Sequence, residues 1–493
     1  MGVITNKSAA VTIINFLGIV IAAFGILYIQ TKYLSQEEIG TIKTLNAISL
    51  IIFPFVLMGF GSAVYRYYHY FVNNEKEKNQ FLTFVILLPL FILIIFTIAS
   101  LMLKGWIDDY FFKDSPYLAN IIYLLPGMVF HYVYLNLFES LLTIKTQIIL
   151  SNFLKSVVSR LYLIGLVILY TTGLINFNTL LIFYITLHIL NVIILAIYYF
   201  YQNPYKIKFG FNKNKKFKGF SIYSSYVVFG SLSGVIVAQI DTLMIGSITE
   251  SLGKVGIYTI AFFMGVVIEI PKRPVIQLTI PLISKYLADG ENHKVEDLFK
   301  KSAINLLILG GIIFILIWGN IDSIFSIIPN GDNYVEGKYV VFFIGLSKLF
   351  DLAVGINFEI IQYSKYYKWN IFLTPFLAII AILTNWYFIT EYGIVGTAVA
   401  TAISIFLYNS VTSIVVYNKL KMNSINFRHL FVGGLITLVL FLGTFITIEN
   451  PFLNIIGKSF IMVTVFIVVL YFTKMSLEIN RIINTAISRV FRR

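Results

Sequence analysis

Apolar residues run along this chain in long blocks, each closed by a short polar connection. Blocks of about 18 or more apolar residues bounded by charge are the mark of membrane-spanning helices. Fourteen occur, at 9–29, 45–67, 81–103, 118–140, 152–172, 179–200, 221–248, 256–283, 303–325, 338–362, 370–390, 394–417, 431–448 and 456–475. The pattern predicts an all-α integral membrane protein with about fourteen transmembrane helices. Gln30-Thr31-Lys32 follows the first block where a cleaved leader would carry a small-residue site, so that block is expected to stay as the first span.

Composition removes the soluble alternatives. The 493 residues are 58% hydrophobic and 12% charged, whereas soluble domains carry about 25% charged residues. Zero cysteines exclude disulfides and thiolate sites, and five histidines are too few to suggest a metal centre, so no metal and no cofactor is expected.

The net charge of +14 could mean nucleic-acid binding, so its location decides. With both termini cytoplasmic, lysines and arginines concentrate on the inner connections and the outer ones are slightly acidic, as the positive-inside rule requires. Nucleic acid is unnecessary. The loop 204–218 interleaves six lysines with aromatics and is expected to rest on anionic lipids. In the tail 474–493 the apolar residues Met475, Ile479, Ile482, Ile483, Ala486, Ile487 and Val490 recur at helical spacing among basic residues, which predicts an amphipathic helix in the interface.

The longest outward loop, 104–117, is too short to hold catalytic groups outside the membrane, and no Walker loop, GxSxG or HExxH occurs. An enzyme is not expected.

Two outward turns look alike. Tyr33-Leu-Ser-Gln-Glu-Glu-Ile-Gly40 and Ile248-Thr-Glu-Ser-Leu-Gly-Lys-Val-Gly256 each lead through a β-branched residue and glycine into a helix, with Pro54 and Pro271 following at similar offsets. Six spans separate the copies, which suggests a parallel repeat of the kind that builds two rocking bundles. A common solution for any outside turn would look the same.

Ten ionisable residues fall inside predicted spans: Glu139, Lys155, Arg160, Asp241, Glu269, Lys272, Arg273, Lys348, Asp351 and Glu359. Each costs about 2.5–3.5 kcal/mol on insertion scales, so each needs a partner, water or a purpose. Lys155 begins its span and can snorkel. Arg160 lies eight residues into the same span, about 12 Å deep at 1.5 Å per residue, which favours a cavity role. Glu269 and Arg273 are four apart and can pair, while Pro271 and Pro274 imply a kinked, hydrated helix. Lys348, Asp351 and Glu359 share nearly one helical face. Basic groups in a wet cavity suit an anionic substrate, with Arg best for a diphosphate. Carboxylates that exchange partners suit coupling to a proton or Na⁺.

Three stretches carry a family resemblance: Leu34-Ser-Gln-Glu-Glu-Ile-Gly40 running to Gly59-Phe-Gly61-Ser-Ala-Val-Tyr-Arg66; Gln239-Ile-Asp241-Thr-Leu-Met-Ile-Gly246 running to Gly256 and Pro281-Leu-Ile-Ser284; and Tyr392-Gly393-Ile-Val-Gly396-Thr-Ala-Val-Ala400. The chain resembles the Wzx-type polysaccharide flippases of the multidrug/oligosaccharidyl-lipid/polysaccharide exporter superfamily. The resemblance implies a bacterial inner-membrane protein with two bundles, flipping an undecaprenyl-diphosphate-linked oligosaccharide by alternating access. It also implies H⁺ or Na⁺ coupling, and a polysaccharide polymerase and assembly proteins as partners.

The expected organisation is a six-helix bundle at 1–200, a basic linker at 201–220, a second bundle at 221–417, two further helices at 418–475 and the tail 476–493. Arg66 and Asp241 sit on the family-like motifs, whereas Arg160, Lys272 and Arg273 rest on the depth argument; Arg66, Arg160, Lys272, Arg273 and Lys348 are the candidates for the cationic cavity. Asp241, Glu269, Asp351 and Glu359 are the ion-coupling candidates. The Glu269-Ile-Pro-Lys-Arg-Pro274 stretch is more charged than the family pattern. A lipid II flippase, a drug/cation antiporter, a multi-span glycan polymerase and a passive assembly partner remain as alternatives.

Overall fold

A computed structural model describes residues 2–105, 121–210, 215–476, 478, 480, 481, 484 and 485. Among them every regular element is a helix. The outward loop 104–117 and the amphipathic tail lie largely outside the described residues. The chain forms two compact units, Met1–Gly256 and Ile257–Arg493.

In the first unit α1 (Gly2–Phe24) continues as a π-helical stretch, Gly25–Gln30, and is followed by α2 (Gln36–Leu57), α3 (Phe60–Phe71) and α4 (Glu75–Met102). Next come α5 (Ile121–Ile144), α6 (Ile148–Thr171), α7 (Phe177–Gln202) and α8 (Lys215–Ile248). The second span therefore starts at Gln36 rather than at 45. Ser35 causes the early start: its Oγ accepts from Glu38 N at 3.2 Å while Glu38 Oε2 accepts from Ser35 N at 2.8 Å, a closed capping box. That helix stops where Met58 and Gly59 turn left-handed, and a Cβ on Gly59 would crowd the Ser224 carbonyl of α8.

Aromatic packing fixes the start of α8. Phe71 and Phe81 stack at 4.5 Å, and Phe217 and Phe220 meet them edge-on. The basic loop begins against α4, with Tyr205 OH and Lys208 N both 2.8–3.0 Å from Thr83 Oγ1, and Lys216 at the foot of α8 pairs with Glu77 at 3.1 Å. Positions 211–214 of that loop are among the undescribed residues.

The repeat predicted from the two outward turns is physical at its first turn. Ser251 caps α9 (Leu252–Val266) by accepting from Lys254 N at 3.3 Å, as Ser35 caps α2. In both copies the glycine lies five residues after the capping serine. A Cβ on Gly40 would overlap the Leu252 carbonyl, and a Cβ on Gly256 would overlap the Gln36 carbonyl. Each helix start thus leans on the other through a missing side chain, the close approach small residues allow between membrane helices.

In the second unit a 3₁₀ turn, Val267–Glu269, separates α9 from α10 (Lys272–Ala288). Then follow α11 (Asn292–Trp318), α12 (Ile321–Ile327), α13 (Lys338–Val354), α14 (Asn357–Tyr363), α15 (Trp369–Leu420), α16 (Phe427–Gly443) and α17 (Pro451–Thr473). Buried Leu307, Phe314, Leu352, Ile436 and Phe466 join α11, α13, α16 and α17 in one core.

Among the described residues eleven helices are long and apolar enough to cross a membrane, or twelve if the bent pair α13–α14 is one span. Fourteen were expected. Two predicted spans, 370–390 and 394–417, merge into α15, whose backbone is broken at Gly393 (φ 55°, ψ −136°). The predicted span 431–448 falls on α16, which has 17 residues.

Candidate functional site

Charged side chains meet inside each unit, and the helix breaks determine which ones. In the second unit the 3₁₀ turn ends α9 before Pro271, and α10 restarts at Lys272. This bears out the expected kink and overturns the expected Glu269–Arg273 pair, because an i,i+4 contact needs unbroken helix between its members. Glu269 reaches across to α13 instead, where its Oε2 lies 2.6 Å from Lys348 Nζ. Arg273 is exposed and has no ion pair among the described residues.

Lys272 pairs with Asp351 Oδ2, and Asp351 Oδ1 accepts from Asn409 Nδ2 of α15 at 3.1 Å. Both charged side chains are largely buried, so the pair stands in a low-dielectric setting where each member depends on the other. Glu359 was expected on one continuous face with Lys348. Gly355 (φ 84°) breaks that helix and the two parts bend by 48°, so the helical phase does not carry across. Glu359 nevertheless comes within electrostatic reach of Lys272, is 9% exposed, and its Oε2 has no hydrogen-bond partner among the described residues. Five of the predicted residues, Glu269, Lys272, Lys348, Asp351 and Glu359, are thereby gathered around α10, α13 and α14.

In the first unit Arg160 lies against α1, where a Cβ on Gly18 would sit 2.6 Å from its Nη1. The π-helical stretch Leu154–Val158 precedes it, and Ser156 Oγ within that stretch donates to Asn15 Oδ1 of α1 at 2.7 Å. Lys155 was expected to snorkel from the first turn of its span. That helix starts at Ile148, so Lys155 is further in, and its Nζ donates to both oxygens of Glu139 at 3.0 and 3.2 Å. Arg66 is exposed on α3, its guanidinium carbon 4.7 Å from the centre of the Tyr223 ring. Asp241 is 7% exposed and within electrostatic reach of Lys43.

The sequence reading missed Lys43 because it began the second span at 45, and the Ser35 capping signal would have moved the start outward. It also passed over His131 and His188. Their rings meet at 4.6 Å between α5 and α7, near a hydrogen-bonded set in which Tyr132 OH donates to Asn46 Oδ1 at 2.6 Å. Polar residues at mid-span were the available signal. Among the described residues no His, Asp and Glu group could hold a metal ion.

A Salmonella typhi protein provisionally named as an O-antigen transporter is 27% identical over 396 residues, 76% of this chain and 87% of that protein. The lipid II flippase MurJ in an inward closed conformation superposes with a TM-score of 0.75 at 16% identity, covering 94% of this chain and 99% of that one. A multidrug resistance MATE family transporter of the MOP superfamily, inward-facing, gives 0.63 at 15% identity over 81% of this chain and 93% of its own. At these identities the structures speak to the fold alone: it is the fold of those two transporters. Residues 6–287 match the family of polysaccharide biosynthesis proteins. Together with the apolar helices, this makes the chain a multi-pass protein of the bacterial inner membrane. Since the matched segment takes in more than half of its length, the protein belongs to the polysaccharide biosynthesis protein family.

Proposed function

We propose that this protein flips an undecaprenyl-diphosphate-linked oligosaccharide from the cytoplasmic to the outer leaflet, by alternating access and with H⁺ or Na⁺ coupling, for surface polysaccharide synthesis. The family match over residues 6–287 is the observation that carries this reading. The Salmonella typhi relative provisionally named as an O-antigen transporter supports it. In this reading the chain crosses the membrane fourteen times with both termini cytoplasmic. Two six-helix bundles at 1–200 and 221–417 form the moving parts.

The charges fit the task. Arg160, Lys272 and Lys348, partly buried, and the exposed Arg66 and Arg273 supply positive potential for a diphosphate, and Arg can hold its oxygens in pairs. Glu359 has a buried oxygen without a hydrogen-bond partner among the described residues, beside the Lys272–Asp351 pair, which gives a coupling cation or proton a place to exchange. Asp241, within electrostatic reach of Lys43, and Glu269, paired with Lys348, are further carboxylates for such exchange. Anionic lipids suit the lysines of the loop 204–218 and the basic residues of the tail.

The test is leaflet-resolved accumulation of lipid-linked oligosaccharide in a deletion strain. The expected result is build-up on the cytoplasmic face, relieved by the wild-type chain but not by Arg160→Ala or Lys272→Ala. No build-up in the deletion strain would overturn the flippase reading.

A further inference from the structure

The first unit contains a polar groove that the charge argument leaves unused. A cavity of about 290 Å³ opens between α2, α5, α6 and α7, with Phe53, His131, Tyr132, Glu139, Lys155 and His188 on its walls. A second hollow of about 250 Å³ lies between α3 and α5. Both are lined by Asn136 and Glu139, one helical turn apart on α5, so the two meet there. Together they approach the scale of a small-molecule site.

The hydrogen-bonding sense of the lining follows from its geometry. A carbonyl oxygen only accepts, so His131 Nδ1, 2.9 Å from the His188 carbonyl, carries its hydrogen, and so does His188 Nδ1, 2.8 Å from the Tyr184 carbonyl. In the neutral form of each ring this leaves Nε2 as an acceptor. Tyr132 has committed its hydroxyl hydrogen to Asn46, which leaves its oxygen to accept. Glu139 adds a carboxylate held in place by Lys155.

Such a lining is rich in acceptors, and its one ammonium, Lys155, is already paired with Glu139. Phosphoryl oxygens only accept, and here they would compete with the Glu139 carboxylate for that lysine. Sugar hydroxyls donate in many directions, and the tilted Phe53 and Tyr132 rings, 6.2 Å apart, give the carbon face of a pyranose something to rest on.

We propose that this groove binds the sugar part of the transported lipid, with Asn136, Glu139 and Tyr132 as its discriminating contacts, while the diphosphate is held elsewhere by basic groups. The inference rests on the flippase reading and adds a sugar subsite to it.

The experiment uses the purified full-length chain in lipid nanodiscs. Two probes are compared: undecaprenyl diphosphate, and lipid-linked oligosaccharide extracted from cells that make the protein's own surface glycan. Asn136→Leu and Glu139→Gln are expected to weaken the sugar-bearing lipid about tenfold or more, the scale of a lost hydrogen bond to a charged or buried group, with the sugar-free lipid unaffected. Tyr132→Phe, which keeps the ring, should weaken the sugar-bearing lipid in the same direction and guards against misfolding in the other two. Equal loss for both lipids, or no loss for either, overturns the subsite while leaving a wild-type chain that binds both lipids a flippase. Failure of the wild type to bind either lipid overturns both readings. A Glu139→Gln chain that changes the pH dependence of transport but not the preference for sugar makes the groove a proton site and overturns the sugar assignment.

Discussion

Gly40 and Gly256 hold each other's helix starts: each lacks the Cβ that would overlap the first carbonyl of the other's helix, Leu252 in one direction and Gln36 in the other. The contact is reciprocal and joins the same position of two repeated turns. Adding a methyl there forces the backbones apart, and overpacking of this kind costs about 1–3 kcal/mol. Gly40→Ala and Gly256→Ala should therefore each lower thermal stability in detergent and cut transport, with Val worse than Ala. Wild-type transport by both Ala variants would mean that the contact is dispensable.

Lys272 and Asp351 give a second prediction. Removing one partner of a buried pair leaves the other uncompensated, at a cost of about 3–5 kcal/mol. Lys272→Met should unfold at markedly lower temperature, and Lys272→Met with Asp351→Leu should regain most of the loss without regaining transport. The measurement is a double-mutant cycle read once by thermal unfolding and once by transport. A double variant that transports normally would remove the pair from the mechanism.

Glu359 separates coupling from folding. Glu359→Gln keeps the shape of a side chain whose Oε2 has no partner among the described residues. The folded protein should persist, while transport in vesicles should lose its response to an imposed Na⁺ or proton gradient. An unchanged response to both gradients would move coupling to another carboxylate.

Gly18 provides a remote test of Arg160. A methyl on Gly18 would collide with the Arg160 guanidinium and the Ser156 carbonyl, so Gly18→Ala should reproduce the transport defect of Arg160→Ala in the deletion strain. Full rescue by Gly18→Ala alongside failure of Arg160→Ala would show that the arginine works from more than one position.

Gly393 tests backbone alone. Its φ of 55° with ψ of −136° belongs to glycine, yet nothing lies within 4 Å of a Cβ added there. Gly393→Ala should cost about 1–3 kcal/mol by strain without any clash, measurable as a lowered unfolding temperature.

Much of this architecture was legible because lipid imposes a simple rule: long apolar blocks become helices. The glycine repeat was legible for a similar reason, since Ser35 and Ser251 announce their helices locally. Contacts across broken helices were not. Glu269 and Arg273 look like partners only on an ideal helix, and a local turn at Val267–Glu269 redirects Glu269 to Lys348. Lys348 and Glu359 look coplanar until Gly355 bends the chain. In the groove of the first unit Glu139 and Lys155 were visible as charges, but Asn136, His131 and His188 beside them escaped because attention to charge overlooks other polar side chains.

The charges of the second unit sit beside interruptions: Glu269 and Lys272 flank the break before α10, and Asp351 and Glu359 lie on either side of the bend at Gly355. Half-helices articulate where whole ones resist. In the proposed cycle, an ion pair mounted across such a joint would be strained or relieved as the joint flexes, so that exchanging a partner and changing the angle become one event. A proton or cation arriving there would act as a lever on the fold, with no separate transmission needed between binding and movement.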